Sequence, residues 1–358
     1  MKQPSARAAL TSLGGLAAVR AAVIFLAVVV AGVLCWVFQE IVSPLVVAAF
    51  LLLLIDALGQ DLHNRLPKAP RAIRGAMAAT LTIAGFAVVV LLFVFQGPPF
   101  AGQLMAIEPH VNALIAQVTA LVGQPPITVR ELFRGADPTL ILGRVLGTAR
   151  SGITYAGLVM IYLGFLVASR QAFSAKMDRL FDTQHHRDQA RRVFTSIRRA
   201  VGQYVRLVTV KALVIALLAF AVMTALGVHA ALFVAFLVFL FAFVPIVGAF
   251  AGAMIPALVA LAQFGDLTKP AGIAIGLGAG VFIIDNIIMP KLQGDELNID
   301  PLLVLISIAF WGLMLGPPGA LLSTPLTVML MAVAAEFDGT RWLAILISRD
   351  GQPIKEVR

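Results

Sequence analysis

Charge is what this sequence has least of. Only 13% of its 358 residues are Asp, Glu, Lys or Arg, against about 25% in an average soluble domain. Hydrophobic residues make up 60% and the mean hydropathy is +0.96. Most of the chain must therefore sit where charge is costly, which excludes an ordinary soluble enzyme. Cysteine is almost absent as well. The single Cys35 lies in an apolar run, so no internal disulfide forms and no Cys/His cluster offers a zinc site. No G-x-x-x-x-G-K-[ST] phosphate loop occurs, so the chain does not itself hydrolyse nucleotide. The five histidines, His63, His110, His185, His186 and His229, fall in loops or at the ends of apolar runs. With no nucleophile–base pair and no ligand cluster, no catalytic residue, metal or cofactor is expected. The net charge of +9 comes without any nucleic-acid-binding signature, so no nucleic acid partner is expected either.

Long apolar runs are what the sequence does have. They cover Ala21–Phe38, Ile41–Ile55, Gly75–Phe95, Ser151–Ser169, Ala212–Val228, Ala230–Ala262, Ala271–Ile284 and Leu302–Ala335. A helix needs about 20 apolar residues to cross a bilayer. The first run exceeds the about 7–15 residues of a signal-peptide core and reads as a retained span. Asp56 and Asp61 can lie at the end of the second run, in the interface. The runs lack the alternation of a membrane barrel, so helices must satisfy the backbone. The fold class is all-α: a polytopic membrane protein with about eight transmembrane helices.

Basic residues set the orientation. They gather in the N-terminal tail, in the linker with Arg65, Lys68, Arg71 and Arg74, in the segment from Arg170 to Lys211, and after the last run at Arg341, Arg349, Lys355 and Arg358. Eight spans put all four on one side, with both termini cytoplasmic. The expected layout is a cytoplasmic tail (1–20), three spans (21–96), an extracytoplasmic segment (97–149), a fourth span (150–169), a basic cytoplasmic segment (170–211), a transport core (212–336) and a cytoplasmic tail (337–358). In the outer segment, Leu104, Ile107, Val111, Leu114, Ile115, Val118 and Leu121 recur at helical spacing, before Pro125-Pro126. Asp137-Pro138 opens a further helix there. In the inner segment, Val193, Ile197, Val201 and Val205 line one face, as in a helix lying against anionic lipid headgroups or one that only enforces topology.

The two longest runs are broken in the same manner. Ala230–Ala262 is interrupted by Phe243-Val244-Pro245-Ile246-Val247-Gly248, with Pro256 beyond. Leu302–Ala335 is interrupted by Gly316-Pro317-Pro318-Gly319, with Pro325 beyond. Proline removes an amide donor and glycine weakens helix, so each pair marks a broken or re-entrant helix at membrane depth. Paired breaks of this kind point to a transporter's binding site. Asp285-Asn286 follows the run between them. Two readings stand for Asp285. It binds a cation or carries a proton inside the membrane, or it sits at the span's end, meeting water or pairing with a lysine such as Lys291.

Residues 200–336 carry a further pattern. Val244-Pro245-Ile246-Val247-Gly248 is followed by Asn286, Pro290, Gly294, Leu297 and Pro301, then by Trp311-Gly312, Gly316, Gly319 and Pro325-Leu326, with Lys211 ahead of the fifth span. This resembles the autoinducer-2 exporter (AI-2E) family of bacterial membrane proteins, while the N-terminal half matches only in its layout of spans. The resemblance implies an eight-span permease of the bacterial inner membrane, working as a homo-oligomer. It also implies export of a small polar signalling molecule or sodium–proton exchange. Ala242-Phe243 and Ile246 stand where many members have asparagine and tyrosine, and Pro317-Pro318 doubles a proline. The expected pathway residues are Pro245, Gly248, Asp285, Asn286, Pro290, Gly294, Gly316, Gly319 and Pro325. The expected partners are membrane lipids and a small polar solute, Na+ or H+. The alternative is a passive channel or a non-transporting scaffold.

Overall fold

The computed structural model describes residues 32–105, 152–169, 184–245, 247–289, 299–337 and 339–352, with isolated helical positions in 23–30 and 112–119. Helices α1 (Gln39–Arg65), α2 (Arg71–Met105), α3 (Gly152–Ser169) and α4 (Gln184–Ala225) form the first half. They are followed by α5 (Ala231–Phe241), α6 (Val247–Phe264), α7 (Thr268–Ile283) with a π-helical turn at Ile284–Ile288, α8 (Pro301–Leu315), α9 (Pro317–Leu321), α10 (Ser323–Ala335) and α11 (Arg341–Ile347). Among the described residues, six helices have the length and apolarity to cross a membrane, and α5, α8 and α10 are shorter apolar helices. Phe95, Phe165, Phe250 and Leu313 are 68–70% exposed. Apolar faces this open are what a hydrocarbon surround requires of a multi-pass protein.

Three departures from the sequence reading concern helix ends. The first two apolar runs meet without a connecting loop. Residues 32–37 are helical, only Phe38 leaves the helical conformation, and the Phe38 and Val42 amides bond the Leu34 and Phe38 carbonyls. Helix α2 runs past residue 96, through Pro98 and Pro99, to Met105. The rest of 97–149, with Pro125, Pro126, Asp137 and Pro138, lies outside the described residues apart from isolated helical positions.

The third departure is α4. Its helical ladder is unbroken from Gln184 to Ala225, so the basic segment and the following span are one rod. Its apolar stripe does not face lipid. Val201, Tyr204, Val205 and Val208 are buried against Leu53 of α1, with Ile197 and Phe50 at the edge. That packing, continued by the span, explains why the segment does not form a separate helix flat on the membrane surface.

Each broken run folds back on itself. In hairpin A, α5 and α6 are joined by residues 242–246, and its two ends are tied together. The Gln263 side chain donates to the Gly227 carbonyl (2.8 Å) and accepts from the His229 amide (2.6 Å). In hairpin B, α8 and α10 are joined through α9. Ile299 at the start of α8 packs with Val328, Met331 and Ala334 of α10. Helix α11 closes that root, with the Asp300 amide bonded to the Ile347 carbonyl at 3.1 Å. The Asp300 carboxylate also accepts from the Leu302 amide (2.8 Å), and Pro301 opens α8. An acidic cap followed by proline is a strong helix start. Both long runs therefore fold as helical hairpins rather than as single kinked helices. Helix α8, with 15 residues, is about 22 Å long, short of a bilayer core of about 30 Å.

The hairpins enter from opposite ends of the molecule, and α4 serves as the ruler. Its C-terminal end leads into the root of hairpin A through Gly227. Near its N-terminal end, Gln189 donates to the carbonyl of Glu336, at the root of hairpin B, at 2.6 Å. Gln189 and Ala225 stand about 54 Å apart along a continuous helix. Helix α7 packs antiparallel to α4, with Gly280 against Leu218 and Asp285 against Lys211. Within the largest core, α4, α5, α6 and α7 close around Ile215, Met223, Val234, Val238, Ile273 and Leu277.

Candidate functional site at the hairpin tips

Both tips depend on glycine for close backbone approach. At hairpin A, a side chain on Gly248 would collide with the Phe241 carbonyl oxygen and lie 2.7 Å from Ala242 Cα. At hairpin B, a side chain on Gly319 would collide with the Trp311 carbonyl oxygen and lie 2.7 Å from Leu315 Cβ. Gly316 adopts φ 74°, ψ −159°, a conformation closed to ordinary side chains. Pro317 then occupies the first position of α9, where a missing amide costs nothing. The Trp311 indole N–H donates to Thr327 Oγ1 across hairpin B (3.1 Å), and that hydroxyl donates to the Ser323 carbonyl (2.8 Å).

Main chain opened inside a membrane needs partners, and here hydroxyls supply them. Tyr204 of α4, 2% exposed, donates to the Phe243 carbonyl at the tip of hairpin A (3.1 Å). Its hydroxyl also lies beside Thr324 of hairpin B. On the other side of hairpin B, Ser43 of α1 donates to the Leu315 carbonyl (2.8 Å), and the Tyr155 hydroxyl donates in turn to Ser43 at 2.8 Å. Among the described residues, the buried hydroxyls of Ser323 and Thr324 at the start of α10 have no hydrogen-bond partner. The two tips thus converge on Tyr204, whose hydroxyl stands between the Phe243 carbonyl and Thr324. Replacing Tyr204 by phenylalanine leaves the Phe243 carbonyl unpaired, so the variant is expected to lose about 1–3 kcal/mol. The thermal midpoint of the purified protein is the check, and an unchanged midpoint would remove Tyr204 from this role.

Two turns further along the same face of α4 stands Lys211. Its ammonium meets Asp285 Oδ1 at 2.8 Å, with the two side chains 18% and 22% exposed. Asp285 belongs to the π-helical turn, a local widening frequent at functional sites. A lysine does pair with Asp285, but it comes from α4; Lys291 lies outside the described residues. Two more pairs tie α4 to α1. Arg198 meets Asp56 at 3.4 Å and Arg206 meets Asp61 at 3.1 Å. The Asp56 side chain is only 4% exposed, so its place at the edge of the apolar run rests on protein partners such as Arg198.

The expected residues are only partly gathered. Pro245, Gly248, Gly316, Gly319 and Pro325 lie in the two hairpins, with Gly248, Gly319 and Pro325 buried. Asp285 sits in the π-helical turn that follows α7 and meets α4 through Lys211. Asn286 is exposed and turns its amide back onto the Phe282 carbonyl of its own helix (3.0 Å). Pro290 and Gly294 lie outside the described residues. Tyr204, Ser43, Ser323 and Thr324 were not singled out from the sequence, because hydroxyls in apolar runs carry no pattern. Among the described residues, no three of His, Cys, Asp and Glu come together as metal ligands would.

Two opposed helical hairpins in a bundle whose described residues include six helices long and apolar enough to cross a membrane define a multi-pass integral membrane protein. The family model described as AI-2E family transporter matches residues 23–338, and the chain belongs to that family. The match takes in the N-terminal half, where sequence motifs alone gave only a layout of spans. Among curated relatives, the chain is 26% identical to the AI-2 transport protein TqsA of Escherichia coli, over 86% of this chain and 90% of that protein. It is 28% identical to a candidate transport protein of Haemophilus influenzae, over 62% of this chain and 63% of that one.

Proposed function

We propose that this protein is a secondary transporter of the bacterial inner membrane that exports a small polar solute or exchanges ions, with its pathway at the junction of the two hairpin tips. One observation carries the reading: hairpins rooted at opposite ends of α4 bring a main-chain carbonyl and hydroxyls together at Tyr204. Neutral donors and acceptors of this kind suit a polar solute or a partly dehydrated cation. The relative named for AI-2 transport agrees with a small polar cargo. The Lys211–Asp285 pair supplies a carboxylate that can couple flux to H+ or Na+. The basic clusters support a reading with both termini in the cytoplasm, and the family resemblance supports a homo-oligomer as the working unit.

The test is flux by the purified full chain in proteoliposomes, against a panel of small metabolites and ions, with and without pH and sodium gradients. Saturable flux that follows one of the gradients is the expected result. Conductance without saturation would assign a passive channel, and absence of any flux would assign a scaffold; either ends the transporter reading.

A further inference from the structure

A second site lies away from the hairpin tips. Asp188, Arg191, Arg192, Thr195, Ser196 and Arg199 of α4, with Glu336 at the root of hairpin B, line an open cleft of about 420 Å³. That volume falls within the about 300–1,000 Å³ usual for small-molecule sites. The spacing explains the convergence. Arg191, Thr195 and Arg199 follow one another at four-residue steps, and Arg192 and Ser196 form the adjacent row, so all five share one face of the helix.

The charges in the cleft do not cancel. Arg192 reaches Glu336 at 3.8 Å, a loose pair, while Gln189 holds the Glu336 carbonyl. Among the described residues Arg199 pairs with no acid, and the Ser196 hydroxyl makes no hydrogen bond. Among the described residues lining the cleft, three arginines stand with two acids, and Arg199 pairs with neither acid. Arg198 points elsewhere, to Asp56 and the Phe194 ring, and takes no part. A planar guanidinium offers paired donors that match the oxygens of a phosphate better than a lone carboxylate requires.

We infer that this cleft binds a phosphate-bearing anion, held by Arg199, Arg192, Arg191 and the Ser196 hydroxyl. The anion would draw Arg192 from its loose pair with Glu336, so occupancy would be felt at the root of hairpin B. The inference is independent of what the hairpin tips carry. Two sources present the same chemistry, a soluble phosphate compound or the headgroup of an anionic lipid, and the experiment separates them.

In one arm, the full-length protein in neutral detergent is titrated with inorganic pyrophosphate by calorimetry. In the other, nanodiscs of phosphatidylcholine with and without phosphatidylglycerol are compared for retained anionic lipid by native mass spectrometry. Arg199→Gln and Ser196→Ala are tested beside Arg206→Gln, which removes a cation outside the cleft. Circular dichroism and the thermal midpoint confirm that each variant is folded. Saturable binding in either arm, weakened about tenfold or more by Arg199→Gln but not by Arg206→Gln, is expected from the loss of one charge-assisted contact. Binding in the first arm identifies a soluble anion, and binding in the second a lipid headgroup. No saturable binding in both arms, or binding that Arg199→Gln leaves unchanged, overturns the site.

Discussion

Gly319→Ala is expected to unseat hairpin B. The added methyl would fall on the Trp311 carbonyl oxygen, with Trp311 C at 2.8 Å and Leu315 Cβ at 2.7 Å. Two of those three atoms are main chain of the opposing arm, so no rotamer change relieves the clash; α9 must move off α8. Overpacking of a tight site costs about 1–3 kcal/mol, and a collision with fixed backbone belongs at the upper end. Gly248→Ala meets the Phe241 carbonyl and Ala242 Cα in the same way and should behave alike. The control is Gly272→Ala in α7, where nothing stands within 4 Å of the new methyl. That change should stabilise by about 0.5–1 kcal/mol, through helix propensity. The thermal midpoints of the three purified variants decide the matter. If Gly319→Ala melts where Gly272→Ala does, the tight closure of hairpin B is wrong.

The second large effect concerns Lys211 and Asp285. Asp285→Asn should abolish gradient-coupled flux in proteoliposomes while the protein stays folded. Lys211→Met alone should be the more damaging change for stability, because it strands a carboxylate between α4 and the π-helical turn. Breaking a fully buried pair costs about 3–5 kcal/mol, and the residual exposure of both side chains, 18% and 22%, lowers that figure. The double variant Lys211→Met/Asp285→Asn should recover the midpoint but not the flux. This separates the pair's contribution to folding from its contribution to coupling. Undiminished coupled flux in Asp285→Asn would remove the carboxylate from the transport cycle.

The membrane class and the two hairpin tips were legible because they rest on properties local to the chain. Apolar run length, Pro245 with Gly248, and Gly316 with Gly319 act through the backbone near their own positions. What was not legible arises between elements. Lys211 and Asp285 are far apart in sequence, and nothing short of the antiparallel packing of α4 on α7 says that they meet. The apolar stripe at Ile197, Val201 and Val205 was visible, but a stripe does not state what covers it; here α1 does, and lipid does not. Tyr204, outside that stripe, carries no sequence signal of its own. Its hydroxyl gains meaning only when Phe243 is carried to it by the fold. The boundary between the first two runs falls at Phe38, but no loop marks it, because amide bonds continue on both sides of that residue.

The closed roots of the hairpins bear on how such a molecule can move. Gln263 ties the ends of hairpin A together, and α11 ties those of hairpin B. Each is then a self-contained peg whose internal ladder stays intact if the whole piece slides or tilts. What fastens each tip to its surroundings by hydrogen bonding is slight: a phenol on the Phe243 carbonyl, a serine on the Leu315 carbonyl. Exchanging such a fastening for a bound guest or a water molecule costs little beside unwinding a turn of helix in hydrocarbon. On the transporter reading proposed above, one peg would loosen while the other stays seated, so that the two faces of the membrane would not be open to the junction together.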